Sequence, residues 1–294
     1  MLKSDQLYQI YMRLQEITQD SSDFGGVAIL LCGDLMQLQP VRGTWIFYPP
    51  KDRAFETVHE LYPLWEQFVS IVLTKNHRQG EDHHYAEMLN RIRLGEQTEE
   101  DIKTLESRQT NEIPVGALHI YGKREQVHQE NIKELNKLKT PLVTLEAIHS
   151  HSQMDKFNPP LGKEGEIAHT PFLDKLNLKV GARVMLIFNL DTQDGLTNGT
   201  TGEVVAFATN INNKVTHVLV LLDDPTAGEH TRSKFKGLLT KMKQPKATPI
   251  GPMAFDYSVN KHGKQDSAKA KLIQFPLVLG WAITAHKAQV SLLK

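Results

Sequence analysis

The sequence predicts an α/β protein in which a layer of parallel strands and helices is followed, after about residue 180, by short antiparallel strands. Two apolar runs, residues 25–34 and 68–74, lack polar alternation and are typical of parallel strands covered on both faces. Helical patterns alternate with such runs up to residue 138, which is the rhythm of an α/β layer. From residue 182 onward, turn-forming dipeptides separate short apolar strands, which favours an antiparallel sheet.

Three amphipathic helices are predicted in the first third of the chain. The first covers residues 4–18, with Ser4 as its N-cap. Its apolar face contains Leu7, Ile10, Tyr11, Leu14 and Ile17. The second carries Tyr85, Met88, Leu89 and Ile92 on one face and ends at Gly95. The third opens with a capping box from Thr98 to Asp101.

The alternation ends with a strand over residues 117–121 and one more helix, whose apolar face contains Val127, Ile132, Leu135 and Leu138. Antiparallel strands are predicted at residues 182–188, 202–207 and 217–222, with turns at Asn198-Gly199, Asn212-Asn213 and Asp223-Asp224-Pro225. These strands favour a small barrel. Residues 226–270 are rich in Lys, Gly and Pro and form a long excursion from it, and residues 275–283 return as an apolar strand.

The composition is that of an ordinary globular domain, with 40% hydrophobic and 23% charged residues. No apolar run approaches the roughly 20 residues that a membrane-spanning helix needs, so we expect no membrane partner. Met1 is followed by no long apolar core, and we expect no signal peptide. Cys32 is the only cysteine, which excludes a disulfide framework and a cysteine-based zinc site within these residues. An intracellular location is expected.

Charge is unevenly distributed along the chain although the formal net charge is zero. Residues 230–294 contain twelve Lys and Arg against Asp256 and Asp266, so that this part carries +10 and residues 1–229 carry −10. Electrostatic attraction is screened beyond about 10 Å. A phosphate is therefore attracted by a local cluster of cations even when the net charge of the chain is zero. The alternative interpretation is a solvated lysine-rich loop, which by itself is the more common case.

The first candidate residues follow the two predicted parallel strands. Asp34 and Gln37 come after the first, where an amide or carboxylate can sense a terminal phosphate or position an attacking water. Arg78 comes after the second, where a guanidinium can neutralise a transferring phosphoryl group. Taken singly, a Gly-Asp pair usually ends a strand and such an arginine usually forms a surface ion pair.

A second group of candidates ends the last apolar run. Thr284, His286, Lys287 and Gln289 all carry hydrogen-bond donors, which suits binding of a phosphodiester backbone. No second metal ligand stands at a suitable spacing from His286, so we predict no metal site in the chain. Asp223-Asp224 imitates the end of a Mg²⁺-binding strand, but Pro225 and the short neighbouring strands favour a turn.

The order of these motifs resembles the RecD/PIF branch of superfamily I DNA helicases. The chain carries Gly-Asp-x-x-Gln-Leu-x-Pro-Val, then Leu-Thr-x-Asn-x-Arg-Gln and Ile-Arg-x-Gly, then Leu-Thr-Asn-Gly-Thr-Thr-Gly, and finally Trp-Ala-Ile-Thr-x-His-Lys-x-Gln. The blocks keep the family's order over nearly the whole chain. The chain is most similar to the eukaryotic PIF helicases and to relatives carried by rolling-circle transposons.

The resemblance implies two RecA-like domains with ATP and Mg²⁺ between them and an SH3-like barrel inserted in the second. The corresponding ranges are 1–68 for the remainder of the first RecA-like domain, 69–190 for the first part of the second, 191–272 for the barrel and basic excursion, and 273–294 for the return strand. The resemblance further implies 5′-to-3′ translocation on single-stranded or forked DNA in repair, recombination and telomere maintenance, in the nucleus or the mitochondrion.

The resemblance also implies roles for particular residues. Gln37 would contact the γ-phosphate, with Asp34 beside it in the nucleotide-sensing loop, and Arg78 would act as an arginine finger. Residues that would bind DNA or couple it to the nucleotide are Asn198, Gly199, Thr284, His286, Lys287 and Gln289.

Two motifs of the family are absent from the sequence. No stretch matches Gly-x-x-x-x-Gly-Lys-[Ser/Thr], and no Asp-Glu dipeptide occurs, so the phosphate cradle and the Mg²⁺-binding pair are missing. We therefore expect a C-terminal helicase fragment that does not hydrolyse ATP by itself. The alternatives are a non-catalytic module that binds single-stranded DNA and an inactive relic.

Overall fold

The computed structural model describes residues 2–40, 43–75, 82–110, 112, 114, 116–151, 158–168, 170–259 and 268–288. The chain divides into two compact units, residues 1–112 and 113–294, which are described separately. Among the described residues, no helix is both long and apolar enough to cross a membrane. The combination of helices with parallel and antiparallel strands confirms the predicted α/β class.

The first unit is built from helices. They are α1 (Ser4–Thr18), α2 (Glu56–Leu61), α3 (His83–Leu94) and α4 (Glu99–Glu106), with 3₁₀ turns at Asp23–Gly26, Arg53–Phe55 and Leu64–Gln67. Helix α1 has the predicted bounds, but Lys3 rather than Ser4 occupies the N-cap position. The Ser4 hydroxyl is buried and donates to the Tyr48 carbonyl at 2.6 Å, so it anchors the helix to a distant loop.

The buried face of α1 is shifted from the predicted stripe. Leu7 and Tyr8 are buried, whereas Ile10 and Ile17 are exposed. The apolar core of the unit consists of Leu7, Tyr8, Phe24, Ile46, Phe55 and Leu64. Because Tyr8 carries a hydroxyl, its burial is accompanied by a hydrogen bond from the Leu64 amide at 3.2 Å and a contact with His59 Nδ1 at 2.6 Å.

The two predicted parallel strands of this unit are wrong as strands in this structure. Residues 27–34 and 68–74 have no regular secondary structure and no described strand pairs with them. Most of their side chains are exposed, Leu30 to 85% and Leu73 to 91%, whereas Ile29, Leu31 and Phe68 are half-buried against the core of the unit. The physical reason is that a strand requires a neighbour for its backbone hydrogen bonds, and the described part of this unit contains only helices and loops.

Helices α3 and α4 follow their end signals. The Asp82 carboxylate accepts from the Tyr85 amide at 3.0 Å, and Gly95 ends α3 with φ +77°, which confirms the predicted C-cap. The predicted capping box of α4 is present between Thr98 and Asp101. Arg91 donates two hydrogen bonds to the buried Asp101 carboxylate, at 2.8 and 2.7 Å, which hold the two helices together.

The second unit is mainly β-sheet. Its strands are β1 (His119–Tyr121), β2 (Val143–Glu146), β3 (Ile148–His151), β4 (Lys175–Leu178), β5 (Arg183–Leu186), β6 (Thr201–Thr209), β7 (Val215–Leu222), β8 (Thr248–Ile250), β9 (Met253–Val259), β10 (Ala268–Gln274), β11 (Leu277–Leu279) and β12 (Ala282–Thr284). Its helices are α5 (Arg124–Lys137), α6 (Glu229–Lys234), α7 (Lys236–Lys241) and α8 (Ala285–Ala288).

The largest sheet has the order β11-β5-β6-β7-β8 and is antiparallel throughout. It confirms the antiparallel strands predicted after residue 180. The unit also contains a second sheet, with the order β3-β10-β9, and a two-stranded β2-β4 pair. The described strands do not close into a barrel, so the SH3-like barrel is not confirmed. The sheet includes strands on both sides of residues 191–272, and the domain ranges expected from the sequence stay predictions.

The last apolar run splits into two strands that belong to different sheets. Strand β11 pairs antiparallel with β5, and β12 pairs parallel with β1. Gly280 lies at the break and donates its amide to the Arg183 carbonyl at 2.8 Å. A Cβ at this position would lie 3.0 Å from the carbonyl carbon of Val184 in β5, so a larger residue would push this segment away from β5 by a few tenths of an ångström. The break connects the parallel pair to the antiparallel sheet.

Candidate nucleic-acid interface

The candidate interface of the second unit starts at the parallel pair of β1 and β12. The register pairs His119 with Ala282 and Tyr121 with Thr284. Since the strands run in the same direction, both carboxyl ends lie at one edge, where β1 leads into α5 and β12 leads into α8. Ligands of parallel sheets bind at this edge.

A buried asparagine on α5 holds the strand that carries the predicted residues. The Asn131 side chain accepts from the Trp281 amide at 3.0 Å and from the Ala282 amide at 2.9 Å, and it donates to the Ala282 carbonyl at 3.0 Å. All three bonds go to backbone just ahead of Thr284. The side chain therefore supplies to β12 the partners that a third strand would supply elsewhere.

Thr284, His286 and Lys287 are brought together where β12 passes into the short helix α8. The Lys287 amide donates to the Thr284 hydroxyl at 3.4 Å, which caps the turn. His286 is exposed. Burial lowers the pKa of Lys287 to about 8, because the neutral amine is favoured away from water. Gln289 lies outside the described residues.

A cavity of about 540 Å³ adjoins this junction. Its walls come from α5, the segment 164–177 and strands β11 and β12. The cationic side chains at its lining are Arg124, Lys175 and Lys287, and the acidic ones are Glu164 and Glu166. Lys175 also pairs with Glu146 at 3.3 Å. The volume lies in the range of about 300–1,000 Å³ that is usual for small-molecule sites.

Asn198 and Gly199, which the resemblance linked to DNA, lie between β5 and β6 and do not line this cavity. The Asn198 amide donates to the Asn189 side chain at 2.8 Å, and the Gly199 amide donates to the Leu186 carbonyl at 2.9 Å. Gly199 has φ +96°, which favours glycine. Their contact with DNA stays a prediction.

In the first unit, the predicted sensing residues form a small hydrogen-bonded group. The Asp34 carboxylate accepts from the Met36 amide at 2.9 Å, from the Gln37 side chain at 3.3 Å and from Arg93 at 3.0 Å. Gln37 is thus held beside Asp34, as expected for residues of one loop. Arg78 lies outside the described residues.

Sequence reasoning missed two residues of these groups. Arg93 stands inside the Ile-Arg-x-Gly block, but nothing in the sequence shows that it pairs with Asp34, 59 positions away. Asn131 lies among polar residues on α5. Its only signal in the sequence is its place four residues before Leu135, on the face of the helix that is buried. Both act through contacts that are distant in sequence.

The resemblance implies ATP and Mg²⁺, which need phosphate-binding groups and oxygen ligands. Among the described side chains, no three His, Cys, Asp or Glu come together in a way that could hold a metal ion. The phosphate-binding motif is absent from the sequence as well. The expected lack of a complete ATP–Mg²⁺ site stays a prediction, and we assign these residues no step of hydrolysis.

Comparison with protein families gives two matches. Residues 1–103 match the PIF1-like helicase family, and residues 170–207 match the 2B domain of DNA helicase Pif1. The second match covers β4, β5 and most of β6 and ends ahead of α6.

Individual relatives agree with these matches. An ATP-dependent DNA helicase PIF1 of Saccharomyces cerevisiae is 32% identical over 214 residues, which are 70% of this chain and 23% of that protein. The chain thus spans about a quarter of that relative. The crystal structure of Pif1 helicase from Candida albicans superposes with a TM-score of 0.68 at 23% identity, over 98% of this chain and 62% of that one. A Bacteroides Pif1 bound to ssDNA gives a TM-score of 0.61 at 23% identity, over 98% of this chain and 60% of that one.

Proposed function

We propose that this chain, which belongs to the PIF1-like helicases, forms the nucleotide-sensing and DNA-binding part of an ATP-dependent 5′-to-3′ DNA helicase. The observation that carries the proposal is the strand–helix junction at the carboxyl end of β12, where Thr284 and Lys287 are held together beside a cavity with cationic side chains. Relatives that match the chain are ATP-dependent DNA helicases, and two similar structures of Bacteroides Pif1 contain ssDNA.

The junction suits a phosphodiester backbone for chemical reasons. Hydroxyl, imidazole and ammonium groups donate hydrogen bonds, and most protein contacts with nucleic acids go to phosphate and sugar. The amide of Lys287 donates to the Thr284 hydroxyl, and the exposed His286 side chain is a donor for a ligand at this junction. Asn131 contributes as a positioning residue, because it holds the backbone of β12 rather than the ligand.

Finer parts of the proposal rest on the family alone. In the longer protein, the parallel pair and α5 would belong to the second RecA-like domain and the antiparallel strands to an SH3-like barrel. Gln37 and Asp34 would lie near the nucleotide, and Arg78 would reach it from the other domain. The apolar residues 27–34 and 68–74 would there pair with other strands of the RecA-like sheets. A nuclear or mitochondrial role in DNA maintenance belongs to the same proposal.

The 294 residues are expected to bind single-stranded DNA without hydrolysing ATP. Binding is measured by fluorescence anisotropy with a labelled 20-nucleotide oligo-dT at 50 and 200 mM salt, and ATP hydrolysis by phosphate release with and without DNA. We expect salt-sensitive binding and no phosphate release. The variant Lys287→Gln should weaken binding, whereas Lys139→Gln, on an exposed side chain outside the cavity, should not.

Two results would overturn parts of the proposal. DNA-stimulated ATP hydrolysis by these residues alone would contradict the expected inactivity. A lack of oligo-dT binding at 50 mM salt would contradict the DNA-binding role and leave the inactive relic. Binding without hydrolysis also agrees with a non-catalytic single-stranded-DNA-binding module, which is the second candidate because the described residues of the junction all lie within residues 113–294.

A further inference from the structure

Helices α6 and α7 form a basic insertion between two adjacent strands of the antiparallel sheet. Strands β7 and β8 are hydrogen-bonded neighbours, with Val218 opposite Ile250, and residues 223–247 leave and re-enter the sheet between them. The insertion lies beyond the 2B-domain match, which ends at residue 207. Residues 230–255 contain six Lys and Arg and no Asp or Glu.

The insertion is held rigidly at its start. The buried Asp194 carboxylate accepts from the amides of His230 and Thr231, at 2.8 and 2.9 Å, and from the Thr231 hydroxyl at 2.7 Å. Burial by itself would raise the pKa of Asp194, but these hydrogen bonds lower it below the usual value. The carboxylate therefore stays charged at the amino end of α6, where the helix dipole favours a negative charge.

One cation of the insertion is used internally. Arg232 donates to the carbonyls of Ala227 and Pro225, at 2.6 and 2.7 Å, and to the Thr248 hydroxyl at 3.1 Å. It joins α6 to the start of β8. The arginine therefore fixes the fold of the insertion rather than offering its charge to a ligand.

The apolar side of the insertion packs on the sheet. Leu239 is buried against Leu219 and Ala247, and Leu238 and Met242 are packed around this cluster. The Phe235 ring contacts the His217 ring edge to face, with centroids 4.8 Å apart. Because the apolar side is covered, the opposite side of the insertion faces water.

The insertion carries five exposed lysines, which together are called the lysine surface. They are Lys234, Lys236, Lys241, Lys243 and Lys246, and all are exposed. None of them forms an ion pair with a carboxylate of the described residues. Five uncompensated charges on one ordered segment produce a strong local attraction for a polyanion.

The chemistry of this lysine surface distinguishes among polyanions. Residues 223–257, all of which are described, expose no large apolar side chain that could insert into a membrane. Protein–protein interfaces are depleted in lysine and enriched in aromatic residues, so the composition of the lysine surface does not suit a protein partner. Single-stranded nucleic acid is bound partly by stacking on aromatic rings, and the insertion's only Phe, Tyr or Trp, Phe235, is packed on His217. Duplex DNA keeps its bases stacked inside and presents phosphates, which lysines bind as point charges.

We propose that the lysine surface of α6 and α7 binds the phosphate backbone of a double-stranded DNA arm, at a site separate from the single-strand site at the β12–α8 junction. The inference rests on the proposed DNA-binding function and extends it to a second type of DNA. If all five lysines contact phosphates, the slope of log Kobs against log salt concentration is about −4.5, and with fewer contacts it is less steep.

The test uses the complete 294-residue chain with a labelled 20-base-pair duplex and, separately, labelled oligo-dT. Anisotropy is measured from 50 to 200 mM salt. The triple variant Lys236→Gln, Lys241→Gln, Lys246→Gln should bind the duplex about tenfold or more weakly at 50 mM salt. Its salt slope should be less steep by about 2.7, which is three contacts at about 0.9 each. Its affinity for oligo-dT should change less than about twofold, since the junction is unaltered.

Two control variants make the test specific. Lys133→Gln, Lys137→Gln, Lys139→Gln removes the same charge from exposed positions on or after α5 and should keep duplex affinity. Replacing Lys236, Lys241 and Lys246 by arginine keeps the charge and should also keep it. Equal loss in the α5 control would show an effect of net charge and overturn the proposal, and so would loss in the arginine variant.

The remaining outcomes separate this inference from the proposed function. Binding to oligo-dT without binding to the duplex overturns the lysine surface and keeps the junction. Binding to the duplex without binding to oligo-dT overturns the single-strand site at the junction and keeps the lysine surface. Binding to neither overturns both. Lysine-dependent binding to phosphatidylserine vesicles, without binding to the duplex, would assign the surface to membranes and overturn the inference.

Discussion

The three hydrogen bonds of Asn131 allow a quantitative prediction about the β12–α8 junction. In Asn131→Leu, the amides of Trp281 and Ala282 and the Ala282 carbonyl lose their side-chain partner. A buried hydrogen bond contributes about 1 kcal/mol net, so the loss is about 3 kcal/mol. For a unit of this size, it corresponds to about 6–12 °C in the melting temperature.

The most direct measurement is hydrogen exchange at the amides of Trp281 and Ala282. A loss of about 3 kcal/mol in the opening free energy speeds exchange about a hundredfold. The matched control is Asn136→Leu, on an exposed position of the same helix, which should change stability by less than about 0.5 kcal/mol. Oligo-dT affinity should fall in the first variant only, because the backbone ahead of Thr284 loses its support.

A second substitution at the same position tests the polarity of the bonds. Asn131→Asp keeps an acceptor for both amides but places a carboxylate against the Ala282 carbonyl. Burial and this repulsion favour the protonated carboxyl and outweigh the two amide hydrogen bonds, which favour the charged form, so the folded state should raise the pKa of the new carboxyl. The folded state then binds more protons than the unfolded state, and the stability deficit should shrink as the pH falls from 7 to 5. If Asn131→Leu behaves like Asn136→Leu, or if the deficit of Asn131→Asp does not depend on pH, the positioning role is refuted.

Four further predictions concern single positions. Lys287, with its pKa lowered to about 8, is charged at pH 7 and loses its charge as the pH rises to 9. The affinity for oligo-dT, measured at constant ionic strength, should therefore fall between pH 7 and 9. The variant Lys287→Arg should abolish this fall, because arginine stays charged. Gly280→Ala should cost about 1–3 kcal/mol in urea unfolding through its clash with Val184. Gly237→Ala, where a Cβ meets nothing within 4 Å on a helix, should instead stabilise the chain by about 0.5–1 kcal/mol. The buried Gln274 amide donates to three backbone carbonyls, so Gln274→Leu should cost about 2–3 kcal/mol in the same assay, and an unchanged midpoint would contradict it.

The amino-acid sequence by itself determined the parts of the fold that depend on neighbours along the chain. The capping box at Thr98, the C-cap at Gly95 and the turn at Asp223-Asp224 were predicted correctly, because each depends on backbone groups only a few residues away. The antiparallel strands after residue 180 were also predicted, since their apolar residues and turns are local signals. The order of short motifs indicated the helicase family before any fold was known.

Tertiary structure decided what depends on partners far away in sequence. The apolar runs at 27–34 and 68–74 are not strands here, because a strand needs a neighbour and the described part of the first unit provides none. Asn131 holds a strand 151 positions away, and Asp194 anchors a helix 36 positions away. The sequence alone located the lysines of the insertion, but only the packing of Leu239 on the sheet showed which side of the insertion is covered. Sequence signals such as caps and turns depend on residues a few positions apart. A binding surface is formed by contacts between residues that are much farther apart in sequence.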